Sequence, residues 1–145
     1  MTIDVIEIGR YLVATLRADT ALRSLMGITT NDPRVYLYYS GSALIDPAQG
    51  KRAYITYAQT AEPERTQAVG GPVFSLAVWA DNMDTAAAVA QRLKALLDKE
   101  GDAEATVTAG GIVYQPVLVG SHFSSQENTK FAGIQMQFRF GFSHV

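Results

Sequence analysis

The chain has 145 residues, 48% of them hydrophobic and 18% charged, with a formal net charge of −2. That is enough apolar material for the core of one ordinary domain, and it excludes a disordered tail. The mildly acidic balance argues against a nucleic-acid binder, and the absence of cysteine removes disulfides, thiolate metal sites and cysteine nucleophiles together.

A single domain over residues 1–145 is therefore expected. The opening MTIDVIEIGRYLVATLRADT carries Asp4 and Glu7 early. It lacks the basic start, unbroken apolar centre and small-residue cleavage site of a secretory signal. No window approaches the ~20 apolar residues that cross a bilayer. The expectation is a soluble, unexported protein with no membrane partner.

In chain order, Val5, Ile8, Leu12 and Leu16 recur at helical spacing and predict an amphipathic first helix. Asp19 is placed to cap a short second helix holding Leu22, Leu25 and Met26, with Gly27 ending it in a left-handed conformation. RVYLYY, Arg34 to Tyr39, reads as a strand. A Gly-, Ser-, Asp- and Pro-containing loop, Ser40 to Gly50, leads to a second strand, RAYITYAQT, Arg52 to Thr60. The charged stretch AEPERTQAVGG, Ala61 to Gly71, predicts a long protruding connection. The third strand is PVFSLAVWA, Pro72 to Ala80, with Phe74, Leu76 and Val78 on the core face.

The helix that follows is the clearest element of the sequence. Met83, Ala86, Ala90, Leu93 and Leu97 form one stripe, thickened by Val89 and Leu96. Asp81 or Asn82 supplies the N-cap, Asp84 suits the positive end of the dipole, and Arg92, Lys94 and Lys99 gather toward the negative end, with Gly101 as the stop. Val113 to Phe123 reads as a strand that Pro116, lacking an N–H, places at an edge or a bulge. After the polar turn Ser124 to Lys130, FAGIQMQFRFGF alternates strictly. Ile134, Met136, Phe138, Phe140 and Phe142 face one way; Gln135, Gln137 and Arg139 face the other, which implies a sheet open to solvent on one side. The predicted class is α+β: a single mostly antiparallel sheet of about four to five strands with two to three helices packed on one face.

No motif carries chemistry. The strand-to-helix turn Ala80-Asp81-Asn82-Met83-Asp84 has no glycine and two carboxylates, so it is a capped helix start rather than a phosphate cradle. At Gly50-Lys51 a Walker loop fails, because Ile45 stands where its first glycine belongs and Arg52 where Ser or Thr must follow the lysine. The acidic run Asp98 to Glu104 lacks the glycine and glutamate positions of an EF-hand, reading instead as a solvated turn. His122 and His144 have no ligand spacing for zinc, and no GxSxG elbow exists to present a serine to His122. No catalytic, metal or cofactor residue is expected. Tyr36, Tyr38, Tyr39, Tyr54 and Tyr57 crowd two neighbouring strands. Such a cluster suits either a protein interface or ordinary cross-strand packing. Glu62, Glu64 and Arg65 are likewise either solvated loop charges or partner contacts.

The order of parts is that of a known family. A first helix, the short helix in ADTALRSLMG, a strand opening RVY, AYITYAQT, a charged loop, FSLAVWA running into AAAVAQRLKALL, and a closing FAGIQMQFRFGF together resemble the tail terminator (tail completion) proteins of long-tailed bacteriophages. The likeness spans nearly the whole chain, and the long Ser40–Gly50 stretch departs from it. The resemblance implies a non-enzymatic virion protein, assembled in the host cytoplasm and located at the neck end of the tail. It implies a homo-oligomeric ring, usually of six copies, on the finished tail tube. The implied partners are the tail tube protein and a head–tail connector or neck protein, with DNA passing through the lumen without specific binding. A closed ring joins one patch of the subunit to a different patch on the next. Candidate contacts are Tyr36, Tyr38, Tyr39, Glu62, Glu64, Arg65, Gln135, Gln137 and Arg139. The alternatives are a head-to-tail connector, a peptide-binding module using the tyrosine-rich face, and a small hydrolase using His122 or the Asp81/Asp84 pair.

Overall fold

In a computed structural model, the described residues are 5–27, 35–37, 45, 48, 50–59, 73–98, 107–109, 112–125 and 132–142. In chain order the elements are α1 (Val5–Ala18), α2 (Thr20–Met26), β1 (Val35–Leu37), β2 (Ala53–Gln59), β3 (Val73–Ala80), α3 (Met83–Leu97), β4 (Val107–Ala109), β5 (Ile112–Ser125) and β6 (Ala132–Phe142). The strands form one sheet in the order β1-β2-β3-β6-β5-β4. All pairs are antiparallel except β1 with β2, which run parallel. This is the expected α+β class. The five expected strands are all present, and the unpredicted β4 adds a sixth.

The parallel β1–β2 pair explains the long Ser40–Gly50 stretch. Parallel neighbours cannot be joined by a hairpin; the chain must cross over, which takes a dozen or more residues. Ile45, midway along that crossover, is buried with Tyr54, Ala77 and Trp79. Those three residues alternate with the core-facing positions of β2 and β3. Ile45 therefore covers part of the face opposite the helices. A sheet fully open on that side was expected; the structure corrects this, because an apolar Trp79 there calls for cover that the period-two pattern of β6 did not reveal.

On the helical face, Ile8, Leu12, Leu16, Leu22 and Met26 meet Ile55, Phe74, Leu76, Val78, Ile134, Met136, Phe138 and Phe140. From α3 come Ala86, Val89, Ala90, Leu93 and Leu97. Leu96 is only partly buried, and Met83 is 40% exposed, so the stripe of α3 starts one turn later than predicted. Asn82 caps α3, its side chain accepting a hydrogen bond from Thr85 N at 2.8 Å. The helix ends at Leu97 with Asp98 as its extended C-cap, ahead of Gly101. Lys99 and Gly101 lie outside the described residues.

Asp19 does two jobs. Its carboxylate accepts from Leu22 N at 2.9 Å as the N-cap of α2. It also receives Arg92 of α3 in a two-point grip, Nε to Oδ2 at 2.8 Å and Nη2 to Oδ1 at 2.6 Å. Arg92 therefore joins α3 to α2 rather than serving the dipole of its own helix. The Arg92 guanidinium, with help from the Leu22 amide, holds the Asp19 carboxyl below the usual carboxylate range against the opposing pull of partial burial. A lowered folded value stabilises the fold above the unfolded pKa and stops doing so as pH falls through the folded value. Asp19→Ala is thus expected to cost about 1 kcal/mol at neutral pH through the lost cap alone. Urea unfolding at stepped pH should show the gap from wild type closing below about pH 4, where the unfolded aspartate also takes up its proton.

Candidate functional site

At the strand-to-helix turn the protein itself engages the amides of Thr85 and Ala86, both through Asn82. Asn82 occupies the first-turn N–H of Thr85, and Arg52 reaches over the turn, donating from Nη2 to Thr85 Oγ1 at 2.8 Å and lying 3.7 Å from Asp81 Oδ2. The Arg52 backbone closes the same corner, its N–H donating to Met26 O and its carbonyl accepting from Asp81 N. These residues fasten β2, β3, α2 and α3 together. Asp81 faces Arg52, while Asp84 is exposed.

His122 and Ser121 are adjacent on β5, and successive side chains of a strand point to opposite faces. They therefore do not form a dyad. His144 lies outside the described residues. Among the described residues no three His, Cys, Asp or Glu side chains gather where a metal ion would sit.

What the fold does build is surface. Across the face opposite the helices, rows run Thr56–Ala77–Gln135–His122, then Ala58–Ser75–Gln137–Gly120, then Val73–Arg139–Val117. Gln135, Gln137 and Arg139 thus stand in line along the middle of the sheet, as the alternation of β6 predicted. They are half-buried rather than exposed. Arg139 sits between Val73 and Val117, which shield its aliphatic stem. Its Nε is buried and has no hydrogen-bond partner among the described residues.

The tyrosines divide. Tyr54 is 3% exposed under Ile45, and Tyr57 packs partly buried against the helical core, so both are packing residues. Tyr36 is described only in the backbone, where it pairs with Thr56. Tyr38, Tyr39, Glu62, Glu64 and Arg65 lie outside the described residues, as does the connection 61–71.

At the other side of the sheet, β4 covers only Ile112–Tyr114 of the 14-residue β5. From Gln115 onward β5 has no outer neighbour among the described strands. Pro116 accordingly lies at an edge, and the bulge falls slightly later, between Leu118 and Gly120. The carboxylate of Asp98 accepts one free edge amide, that of Leu118, at 3.3 Å. Beside this edge a groove of about 450 Å³ opens between α3 (Ala87, Ala90, Lys94) and β5 (Leu118, Phe123). Phe123, which lines the groove, is 75% exposed, and Val119, elsewhere on β5, is 45% exposed. Sequence reasoning missed both. Their only sequence signal was the short apolar run Val117-Leu118-Val119 and the isolated Phe123 after Pro116.

The comparisons with known proteins follow the fold. No protein-family model matches the sequence, and no curated protein matches it. Among solved structures, the chain is similar to one in the virion of a native gene transfer agent particle, with a TM-score of 0.60 and 19% identity over 89% of this chain and 89% of that one. At that identity what the two chains share is the fold, over 89% of each.

Proposed function

We propose that this chain is a structural component of a phage-like particle, acting as a tail terminator. Copies of it form a ring at the head-proximal end of the tail tube, stop the tube from growing and present a surface to the neck. The observation that carries this reading is the end-to-end fold likeness to a chain of a gene transfer agent virion, joined to the order of sequence elements described above. The described surface supports it: one polar sheet face, one long edge strand with exposed apolar side chains, and small rigid corners rather than a cleft of convergent chemistry. A ring built by head-to-tail contacts uses two different patches of each subunit, and the sheet face and the β5 edge are two such patches. On this reading the protein is no enzyme and needs no cofactor.

The test is deletion of the gene from the element that encodes it, followed by electron microscopy of the released particles. Overlong tails detached from filled heads are the expected result. Normal-length tails beside filled heads would move the protein to a neck connector. Intact, infectious particles would remove the assembly role altogether.

A further inference from the structure

The outer edge of β5 is protected along its first half and open along its second. β4 pairs with Ile112–Tyr114, Pro116 has no N–H to offer, a bulge falls between Leu118 and Gly120, and Asp98 occupies the Leu118 amide. These are devices that keep a sheet edge from pairing further. None of them reaches Ser121, His122 and Phe123, which are all exposed and include no acid, lysine or proline.

The ladder fixes which backbone groups face outward there. Leu118 gives its N–H to Asp98 rather than to β6, so Leu118 and Phe138 are not a hydrogen-bonded pair. Hydrogen-bonded and non-bonded pairs alternate along an antiparallel ladder. Met136 and Ile134 share the phase of Phe138, so their partners Ser121 and Phe123 also turn their N–H and C=O groups away from β6. Outward of them there is no strand among the described residues. The Ser121 and Phe123 side chains lie on the helical face, as those of Met136 and Ile134 do. They border the groove walled by Ala87, Ala90 and Lys94 of α3 and floored by Leu118 and Met136. Lys94 is exposed and brings a positive charge to a lining that contains no carboxylate.

We propose that the Ser121–Ser125 edge of β5 takes an extended segment of another protein as an added strand, with apolar side chains in the groove and a carboxylate against Lys94. Free edge amides and carbonyls are matched by an extended backbone, which pairs with them as a further strand. Alternation sends every second side chain of that segment to the helical face, where Phe123 and Met136 offer apolar contact. The positive charge of the groove favours an acid among those side chains. β1, this chain's other outer strand, does not fit the part: Arg34 to Tyr39 holds no carboxylate and begins with an arginine. The inference is independent of the ring, which uses β5 as a patch between copies and does not need these amides.

The probe is a short capped peptide of alternating valine and threonine with one valine replaced by aspartate. It is added to the isotope-labelled full chain, and amide hydrogen exchange is followed by NMR. The Ser121 and Phe123 amides are expected to exchange freely in the chain alone and to slow at least about tenfold with saturating peptide. A peptide with lysine in place of the aspartate should bind at least about fivefold more weakly, and Lys94→Glu, at an exposed site, should reverse that preference. Phe123→Ala should weaken binding of the aspartate peptide roughly tenfold while leaving the fold intact. No slowing, or equal binding of the two peptides to the native chain, overturns the proposal. Slow exchange in the chain alone overturns it too: protection that grows with protein concentration means that a second copy fills the edge, and protection that does not means that the chain fills its own.

Discussion

Phe140→Ala is expected to destabilise the protein by about 3–5 kcal/mol, the range for emptying a well-packed aromatic site. Phe140 has no solvent exposure. Its ring meets Tyr11 of α1 edge-on, with centroids 6.4 Å apart at 83°, and Phe74 of β3 at 5.7 Å and 78°. It is therefore the point where α1, β3 and β6 are keyed together. Truncation removes the transfer free energy of the ring, leaves a cavity and breaks both edge-to-face pairs. Against a typical total stability of about 5–15 kcal/mol, the variant sits near the edge of folding, with a melting temperature lowered on the order of 10 °C. Phe123→Ala is the control. That ring is 75% exposed, and its loss should move stability by no more than about 0.5 kcal/mol. Thermal and urea unfolding of the two variants side by side measure the contrast. Equal effects would mean that the closing strand is not packed as described.

Gly27→Val is expected to cost about 3 kcal/mol or more. Gly27 ends α2 at φ 70°, ψ 34°, and its N–H reaches Arg23 O and Ser24 O. A side chain in this left-handed region costs roughly 1–2 kcal/mol in itself. The larger obstacle is packing: a Cβ at Gly27 would lie 1.6 Å from the carbonyl oxygen of Gly50. That oxygen is backbone and cannot swing aside, so the end of α2 and the crossover before β2 must part. Parting them also strains the neighbouring Arg52 N–H to Met26 O bond of 3.1 Å. Gly50→Ala isolates the backbone component, because Gly50 has φ 76° but nothing within 4 Å of a Cβ. It should cost only about 1–2 kcal/mol. Chemical denaturation of the two variants separates clash from conformation, and similar losses would show that the close approach of the two glycines is absent.

Local chemistry was legible in the sequence wherever a residue's job involves its near neighbours in the chain. The Asp19 cap, the left-handed Gly27, the Asn82 cap and the inward set Ile134, Met136, Phe138 and Phe140 could be named from spacing because capping and alternation act over one to four residues. The three helices and the strands other than β4 follow for the same reason. Of the candidate contacts, Gln135, Gln137 and Arg139 were placed on the correct face by period two alone.

Tertiary structure decided what distant segments do to one another. The sequence could not show that β1 lies parallel to β2, since direction depends on the path of a crossover and not on any residue in either strand. Nor could it show that Ile45 covers Tyr54 and Trp79, which turned apparent surface tyrosine into packing. Arg92 looked like a dipole-balancing charge until α2 and α3 were set side by side and Asp19 came within 2.6 Å. β4, Val-Thr-Ala, lacks the aromatic and β-branched run that marks β1, and is defined by its pairing with β5. Length, composition, caps and periodicity thus determined the class of this protein and the inward side of each element, because those are properties of contiguous chain. The sheet order, the covered face and the β5 edge left open among the described strands were decided only by which remote segments came together, because pairing and burial are energies of contacts that no local stretch contains.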